Sequence, residues 1–273
     1  MEIFITAALA MIVLGLMFGA GLALASRVLT VQTDECMERV QEALPGTNCG
    51  ACGYGGCVAY AKAVAHQGEK ANLCIPGGEA AAGAVARIMG VECADAEASK
   101  RAVVHCRGNE SNSGTRCDYR GFEDCRAAAL ISGGPKSCTY GCLGYGSCAQ
   151  ACPFGAITMD SGLALVDDEK CTGCGICVGV CPRGLISLLD ARYDAYVACS
   201  SRDSGKAVKN VCEAGCIACG ACAKKDPSGA VTMEGGLPVL DYEKAGGDFS
   251  VVSQACPTKC VVTGSSEGAG AVT

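Results

Sequence analysis

The sequence predicts an α+β chain of small cysteine-rich modules behind a single long apolar helix. Three observations carry this: a stretch from Ile3 to Ser26 without one charged residue, 24 cysteines among 273 residues grouped at short spacings, and an internal repeat in which residues 138–170 align onto 212–244. Trp is absent and aromatic residues make up 5%, so the chain is poor in the large side chains that usually build a core. Cysteine at this density marks either a disulfide scaffold or bound metal, and spacing decides between them. A net charge of −6 with no long Lys or Arg run argues against a nucleic-acid surface.

At about 1.5 Å of rise per residue, the apolar stretch is long enough to cross a bilayer. Ala23-Leu24-Ala25-Ser26 would suit a cleavage site. No basic n-region precedes the run, however, and it is too long for a signal-peptide h-region, so an uncleaved anchor over residues 1–27 is expected. Glu2 before the span and Arg27 after it put the body on the cytoplasmic side of the cell (inner) membrane, the chain crossing once. Thiolates would also find reducing conditions there. Val31 to Leu44, apolar at Val31, Met37, Val40 and Leu44, reads as a short amphipathic helix ended by Pro45-Gly46. Gly78 to Met89 is Ala-rich and helix-prone, and Glu92 to Lys100 reads as a charged connector.

The sharpest motif is Cys171-x2-Cys174-x2-Cys177-x3-Cys181-Pro182. Three thiolates at this spacing wrap one [4Fe–4S] cluster, while the fourth, followed by proline, reaches the neighbouring cluster. Zinc sites use separated CxxC pairs instead. Upstream stands Cys138-x3-Cys142-x5-Cys148-x3-Cys152-Pro153, with Tyr145 where the middle cysteine usually sits. Exchange of fourth ligands groups Cys171, Cys174 and Cys177 with Cys152, and Cys142, Cys148 and Cys181 with the extra Cys138. Between the motifs, residues 156–159 and 163–166 read as a hairpin, which makes this a bacterial-type two-cluster ferredoxin module.

Nearer the anchor, Cys49, Cys52, Cys57 and Cys74 form a glycine-rich C-x2-C-x4-C-x16-C set, which reads as one further cluster with four-cysteine zinc as the alternative. The second module keeps Cys216, Cys219, Cys222 and Cys256. Its positions aligned with Cys152, Cys171, Cys174 and Cys177 are Asp226, Ala245, Asp248 and Val251, so one complete ligand set is missing, and Phe249 and Val251 are expected to fill the space. Ala102 to Cys106 resembles Ala195 to Cys199, two short strands each ending in cysteine. Cys106 and Cys199 could therefore join Cys125 and Cys212 around a fifth cluster, with packed thiols as the equal alternative. Cys36, Cys93, Cys117 and Cys260 receive no role. At least four [4Fe–4S] clusters are expected, and five or six at most.

The expected division is an anchor (1–27), a proximal cluster domain (28–92), a connecting segment with extra cysteines (93–136), a two-cluster module (137–190) and a degenerate one-cluster module (191–273). His66 and His105 are given no role. No nucleotide fingerprint or site for chemistry on an organic substrate is present, so the residues point to electron transfer.

The order of anchor, ALPGTNCGACGYGGC loop, YGCLGYGSCAQACPFGAI segment and tandem modules resembles the B subunits of the Rnf ion-translocating electron-transport complexes over nearly the whole chain. That resemblance implies a subunit that takes electrons from reduced ferredoxin and relays them to other membrane subunits, which couple reduction of an acceptor such as NAD+ to Na+ or H+ transport. Flavin and nicotinamide sites would lie on those other subunits. Lys206, Lys209, Lys224 and Lys225 form the one basic grouping in the second module available to an acidic carrier. The competing readings are a polyferredoxin subunit of a hydrogenase or heterodisulfide-reductase system, and a protein that uses its clusters structurally.

Overall fold

The computed structural model describes residues 1–28, 34–92 and 99–264. Cys93 and the start of the expected helix at Val31 lie outside them. Helix α1 (Glu2–Val28) contains a 23-residue stretch, Phe4–Ser26, long and apolar enough to span a membrane, with mean hydropathy 2.3 and none of it buried against the rest of the chain. Its apolar residues surround the helix, as suits a lipid environment.

Three helices form the proximal unit: α2 (Glu35–Glu42), α3 (Cys57–Gln67) and α4 (Gly78–Met89). Asp34 caps α2 by accepting from the Cys36 N–H at 2.9 Å. Val40, Leu44, Tyr60, Ala61, Val64 and Val85 form the core between them. Tyr60 is 1% exposed; its hydroxyl donates to the Lys70 carbonyl at 2.7 Å and accepts from the Leu73 N–H at 3.2 Å. A buried phenol needs such partners, and these fix the loop that carries Cys74.

The first module runs β1 (Lys100–Val104), α5 (Cys125–Leu130), α6 (Ser147–Gln150), β2 (Ile157–Asp160), β3 (Leu163–Val166), α7 (Ile176–Val180) and β4 (Ile186–Asp190). Strands β2 and β3 form the expected hairpin, with Ile157 opposite Val166. Strand β1 pairs antiparallel with β4, Val104 lying opposite Ile186. Residues 100–136 are therefore not a connector: β1 closes the first module and α5 packs into it. Gly173, with φ +69°, lies where a Cβ would come within 2.2 Å of the Lys100 carbonyl oxygen, so the cysteine loop crosses β1 only because glycine stands there.

The second module repeats the plan with β5 (Ala195–Val197), α8 (Gly205–Val211), α9 (Ala221–Lys225), β6 (Val231–Glu234), β7 (Leu237–Leu240), α10 (Tyr242–Ala245), α11 (Ser250–Ala255) and β8 (Val261–Thr263). Here β5 pairs with β8 and β6 with β7, the counterparts of β1–β4 and β2–β3. The modules meet along a shared core of Val103, Leu189, Tyr196, Ala198 and Val262. His105 also bridges them: Nδ1 lies 2.7 Å from the Val197 carbonyl and Nε2 lies 2.7 Å from Ser187 Oγ. A carbonyl only accepts, so Nδ1 carries a proton.

Candidate iron–sulfur centres

All the cysteines among the described residues are free thiols, and no three His, Cys, Asp or Glu side chains among those residues converge tightly enough for a single metal ion. The thiols gather instead in wider sets of four.

Cys152, Cys171, Cys174 and Cys177 line one cavity with Ala102 and Ile157, the grouping that the motif predicts. The Ala102 N–H donates to Cys171 Sγ at 3.3 Å. Burial pushes the Cys177 thiol up to about 11, with Cys171, Cys174 and Cys152 adding to the shift. A thiolate at buried Cys177, beside three half-buried cysteines, is thus unfavourable alone and needs positive iron, which displaces its proton on binding.

The adjoining cavity is lined by Cys125, Cys142, Cys148 and Cys181. This corrects the expected grouping: Cys125 stands there and Cys138 does not. Tyr145, at the usual cysteine position, packs on Tyr119 with ring centroids 5.3 Å apart, and α5 brings the missing thiol from upstream. Asp124 caps α5 by accepting from the N–H groups of Arg126 and Ala127, which lowers its pKa together with the Ser147 hydroxyl. Burial raises the Cys148 thiol to about 12, reinforced by Cys142, Cys125 and Cys181.

In the proximal unit the thiols of Cys57, Cys49 and Cys52 surround Cys74, whose pKa is raised first by burial and then by those neighbours. Asn48 Oδ1 accepts from the Cys57 N–H at 2.8 Å and so starts α3 at the ligand. Burial raises the Cys174 thiol, and Cys49 adds to that rise, so the two thiols lie within electrostatic reach of one another.

The second module gathers Cys216, Cys219, Cys222 and Cys256: burial raises Cys222, with the other three thiols adding to it. Each module directs a backbone N–H at its fourth sulfur, Leu185 to Cys181 Sγ at 3.4 Å and Cys260 to Cys256 Sγ at 3.2 Å. Cys260 therefore occupies the place of Leu185. Its buried thiol donates toward Cys199 and Cys216, which lowers their pKa values while its own is raised.

At the second-module positions aligned with Cys152, Cys171, Cys174 and Cys177, Phe249 packs into the core as expected, with one correction. Phe249 is 1% exposed, whereas Val251 is 50% exposed and Val252 takes the interior position at 1%. The extra residue before Cys256 shifts the register of α11 by one. Asp226, in the place of Cys152, accepts from Ser228 N–H at 3.0 Å and Val231 N–H at 2.8 Å. Asp248, in the place of Cys174, accepts from Ser250 N–H at 2.9 Å.

Cys138 lies with Cys106, Cys199 and Cys212 at the boundary of the modules. Cys36 donates to Met89 Sδ at 3.7 Å between α2 and α4, and Cys117 is exposed. Lys206, Lys209, Lys224 and Lys225 are all exposed on α8 and α9, as is Cys219. Cysteine sets with N–H groups aimed at sulfur and apolar walls fit [4Fe–4S] clusters.

Comparison with known proteins agrees. An Fe-S cluster family matches residues 44–76 and a 4Fe-4S dicluster domain matches residues 139–188. Relatives include the B subunit of the ion-translocating oxidoreductase complex of Methanosarcina acetivorans, 40% identical over 91% of this chain and 94% of that protein. The B subunit of the Na(+)-translocating ferredoxin:NAD(+) oxidoreductase complex of Acetobacterium woodii is 43% identical over 91% of this chain and 74% of that protein. Its counterpart in the proton-translocating ferredoxin:NAD(+) oxidoreductase complex of Clostridium ljungdahlii is 38% identical over 93% of this chain and 91% of that protein. With a membrane-length helix, iron–sulfur domains and such identity along nearly its full length, the chain belongs to the B subunits of the Rnf ion-translocating oxidoreductase complexes.

Proposed function

We propose that the chain is the electron-entry subunit of its complex, accepting electrons from reduced ferredoxin and relaying them toward membrane subunits that reduce NAD+ or another acceptor and move an ion. A [4Fe–4S] cluster in each thiol set supplies a site that takes up and gives back one electron. The carrying observation is the succession of thiol sets along the chain, with Cys49 of the proximal set within electrostatic reach of Cys174 in the first module. Cys49, Cys52, Cys57 and Cys74 hold the exit site. Cys152, Cys171, Cys174 and Cys177 hold the next, followed by Cys125, Cys142, Cys148 and Cys181. Cys216, Cys219, Cys222 and Cys256 hold the entry site.

Entry at the second module is favoured by exposed Cys219, framed by lysines on α8 and α9 that would meet an acidic carrier. Arg27 following the span supports a cytoplasmic body, where ferredoxin would be met. The test is anaerobic mixing of the purified full-length protein with reduced ferredoxin, followed by visible absorption. Bleaching at a rate that falls with added salt and with charge reversal at Lys224 and Lys225 is expected. Protein that ferredoxin leaves oxidised, although dithionite reduces it, would count against this donor.

A further inference from the structure

Four thiols outside the sets above line one cavity at the boundary of the modules: Cys106, Cys138, Cys199 and Cys212. We propose that they hold an additional [4Fe–4S] cluster, shared by the two modules, with two ligands from each.

The first argument is internal symmetry. Cys138 aligns with Cys212 in the repeat, and Cys106 and Cys199 end equivalent strand segments. Their surroundings repeat as well. The Cys142 N–H donates to Cys106 Sγ at 3.4 Å, and its counterpart, the Cys216 N–H, donates to Cys199 Sγ at 3.3 Å. Two residues beyond each strand cysteine comes a second donor, Gly108 to Cys106 and Ser201 to Cys199 at 3.5 Å. Gly141 and Gly215 are also equivalent: an added Cβ would meet Cys138 Cβ at 3.4 Å and Cys212 Cβ at 3.6 Å. Packed thiols have no reason to keep paired N–H donors on corresponding sulfurs in both repeats, whereas cluster ligands do.

The second argument is space. The boundary cavity, at about 20 Å³, is the same size as the cavities of the Cys152–Cys177 and Cys125–Cys181 sets. The third is charge. Lys136 is 7% exposed, lines this cavity and donates through Nζ to the Gly108 carbonyl. A buried cation is costly without negative charge nearby, and a thiolate-ligated cluster supplies it. The loop after β1 holds the two halves in register: Gly114 N–H donates to Val211 O at 3.0 Å and Glu213 N–H to Asn112 O at 2.8 Å, on either side of Cys212.

The site adjoins both neighbouring sets, through Cys142 on one side and Cys216 on the other. One electron arrives from the second module and one leaves to the first, and no protein bond changes. That stepping-stone role rests on the relay reading above; the presence of the cluster does not.

The test is iron and sulfide content of the full-length protein, purified anaerobically in detergent, with native mass measured alongside. Five clusters give about 20 irons per chain and four give about 16. Cys138→Ser with Cys212→Ser should lose about four irons, Cys106→Ser with Cys199→Ser the same four, and all four changes together no more. Wild type near 16 irons by native mass, a pair variant that keeps wild-type iron, or pairs whose losses add would each overturn the shared site. Iron content is read without any electron donor, so failure of ferredoxin to reduce the protein would leave this result intact and count only against the relay reading.

Discussion

The backbone N–H of Cys125 donates to Ser147 Oγ at 2.8 Å, and the same hydroxyl donates to Asp124 Oδ2 at 2.9 Å. One serine thereby ties the first turn of α5 to the first residue of α6, next to Cys148. Ser147→Ala would leave a buried N–H without its acceptor, at a cost of about 1–3 kcal/mol. Iron loss to a chelator should become faster for one cluster, about four irons per chain, while the rest is released at the wild-type rate. Cys125→Ser should remove those four irons outright. Wild-type iron in Cys125→Ser would return the third thiol to Cys138.

Arg101 is 5% exposed, pairs with Asp168 and donates to the Tyr193 carbonyl at 3.0 Å. It thus links β1, the turn before Cys171 and the segment between the modules. Removing one partner of a fully buried pair costs about 3–5 kcal/mol, and the cost here is smaller because the Asp168 side chain is 21% exposed. Arg101→Ala should lower the apparent melting temperature of the holoprotein by several degrees, and a double variant with Asp168→Asn should recover part of the loss. Additive losses in that pair would argue against coupling.

Local spacing makes Cys171, Cys174 and Cys177 legible, because three ligands within one loop leave little else for the chain to do. The hairpin of β2 and β3 is legible for the same reason, through its alternation around the Gly162 turn. Cys125 is not: a ligand from an upstream helix has no fixed spacing, and its only signals are Tyr145 in a cysteine's place and an unassigned thiol. Nearness in sequence favours Cys138, while the alignment of Cys138 with Cys212 points to the module boundary. The expectation for Val251 fails because an ungapped alignment cannot show where in α11 the extra residue is absorbed.

Deletion of residues 1–27 should release the body from membranes with its iron content unchanged, since α1 carries no cysteine and none of its apolar stretch is buried against the body. Fractionation without detergent, together with an iron assay, checks this. A truncated protein still sedimenting with membranes would show that the body binds them through another surface.

On the relay proposed above, the proximal set is the outlet toward the membrane partners. Cys52→Ala should abolish electron delivery in the assembled complex, while the remaining clusters are still reduced by ferredoxin. Turnover at the wild-type rate would remove the proximal set from the path.

The last prediction concerns the positions of the second module that align with Cys152, Cys171, Cys174 and Cys177. Phe249 packs edge-on against Tyr242, with ring centroids 5.6 Å apart at 81°, and Tyr242 stacks on Tyr193 at 4.6 Å. Aromatic packing thus fills the region where the first module encloses Cys174 and Cys177. Phe249→Ala should cost about 3–5 kcal/mol through the cavity it leaves, lowering the melting temperature without changing iron per chain below the transition. Asp226 makes the same point through pH. Burial raises its pKa, but the donors of Ser228, Val231 and Ala230 outweigh that and hold it below the usual carboxylate value. A depressed folded-state pKa stabilises above the unfolded value, and the contribution fades as pH falls through the folded one. The stability gap between wild type and Asp226→Ala should therefore be full near neutral pH and narrow as the acid range is entered. Loss from either variant at neutral pH of more than about four irons, the content of the Cys216, Cys219, Cys222 and Cys256 set, would mean that Phe249 and Asp226 border a second cluster in that module, and the replacement of that site by an apolar core would be refuted.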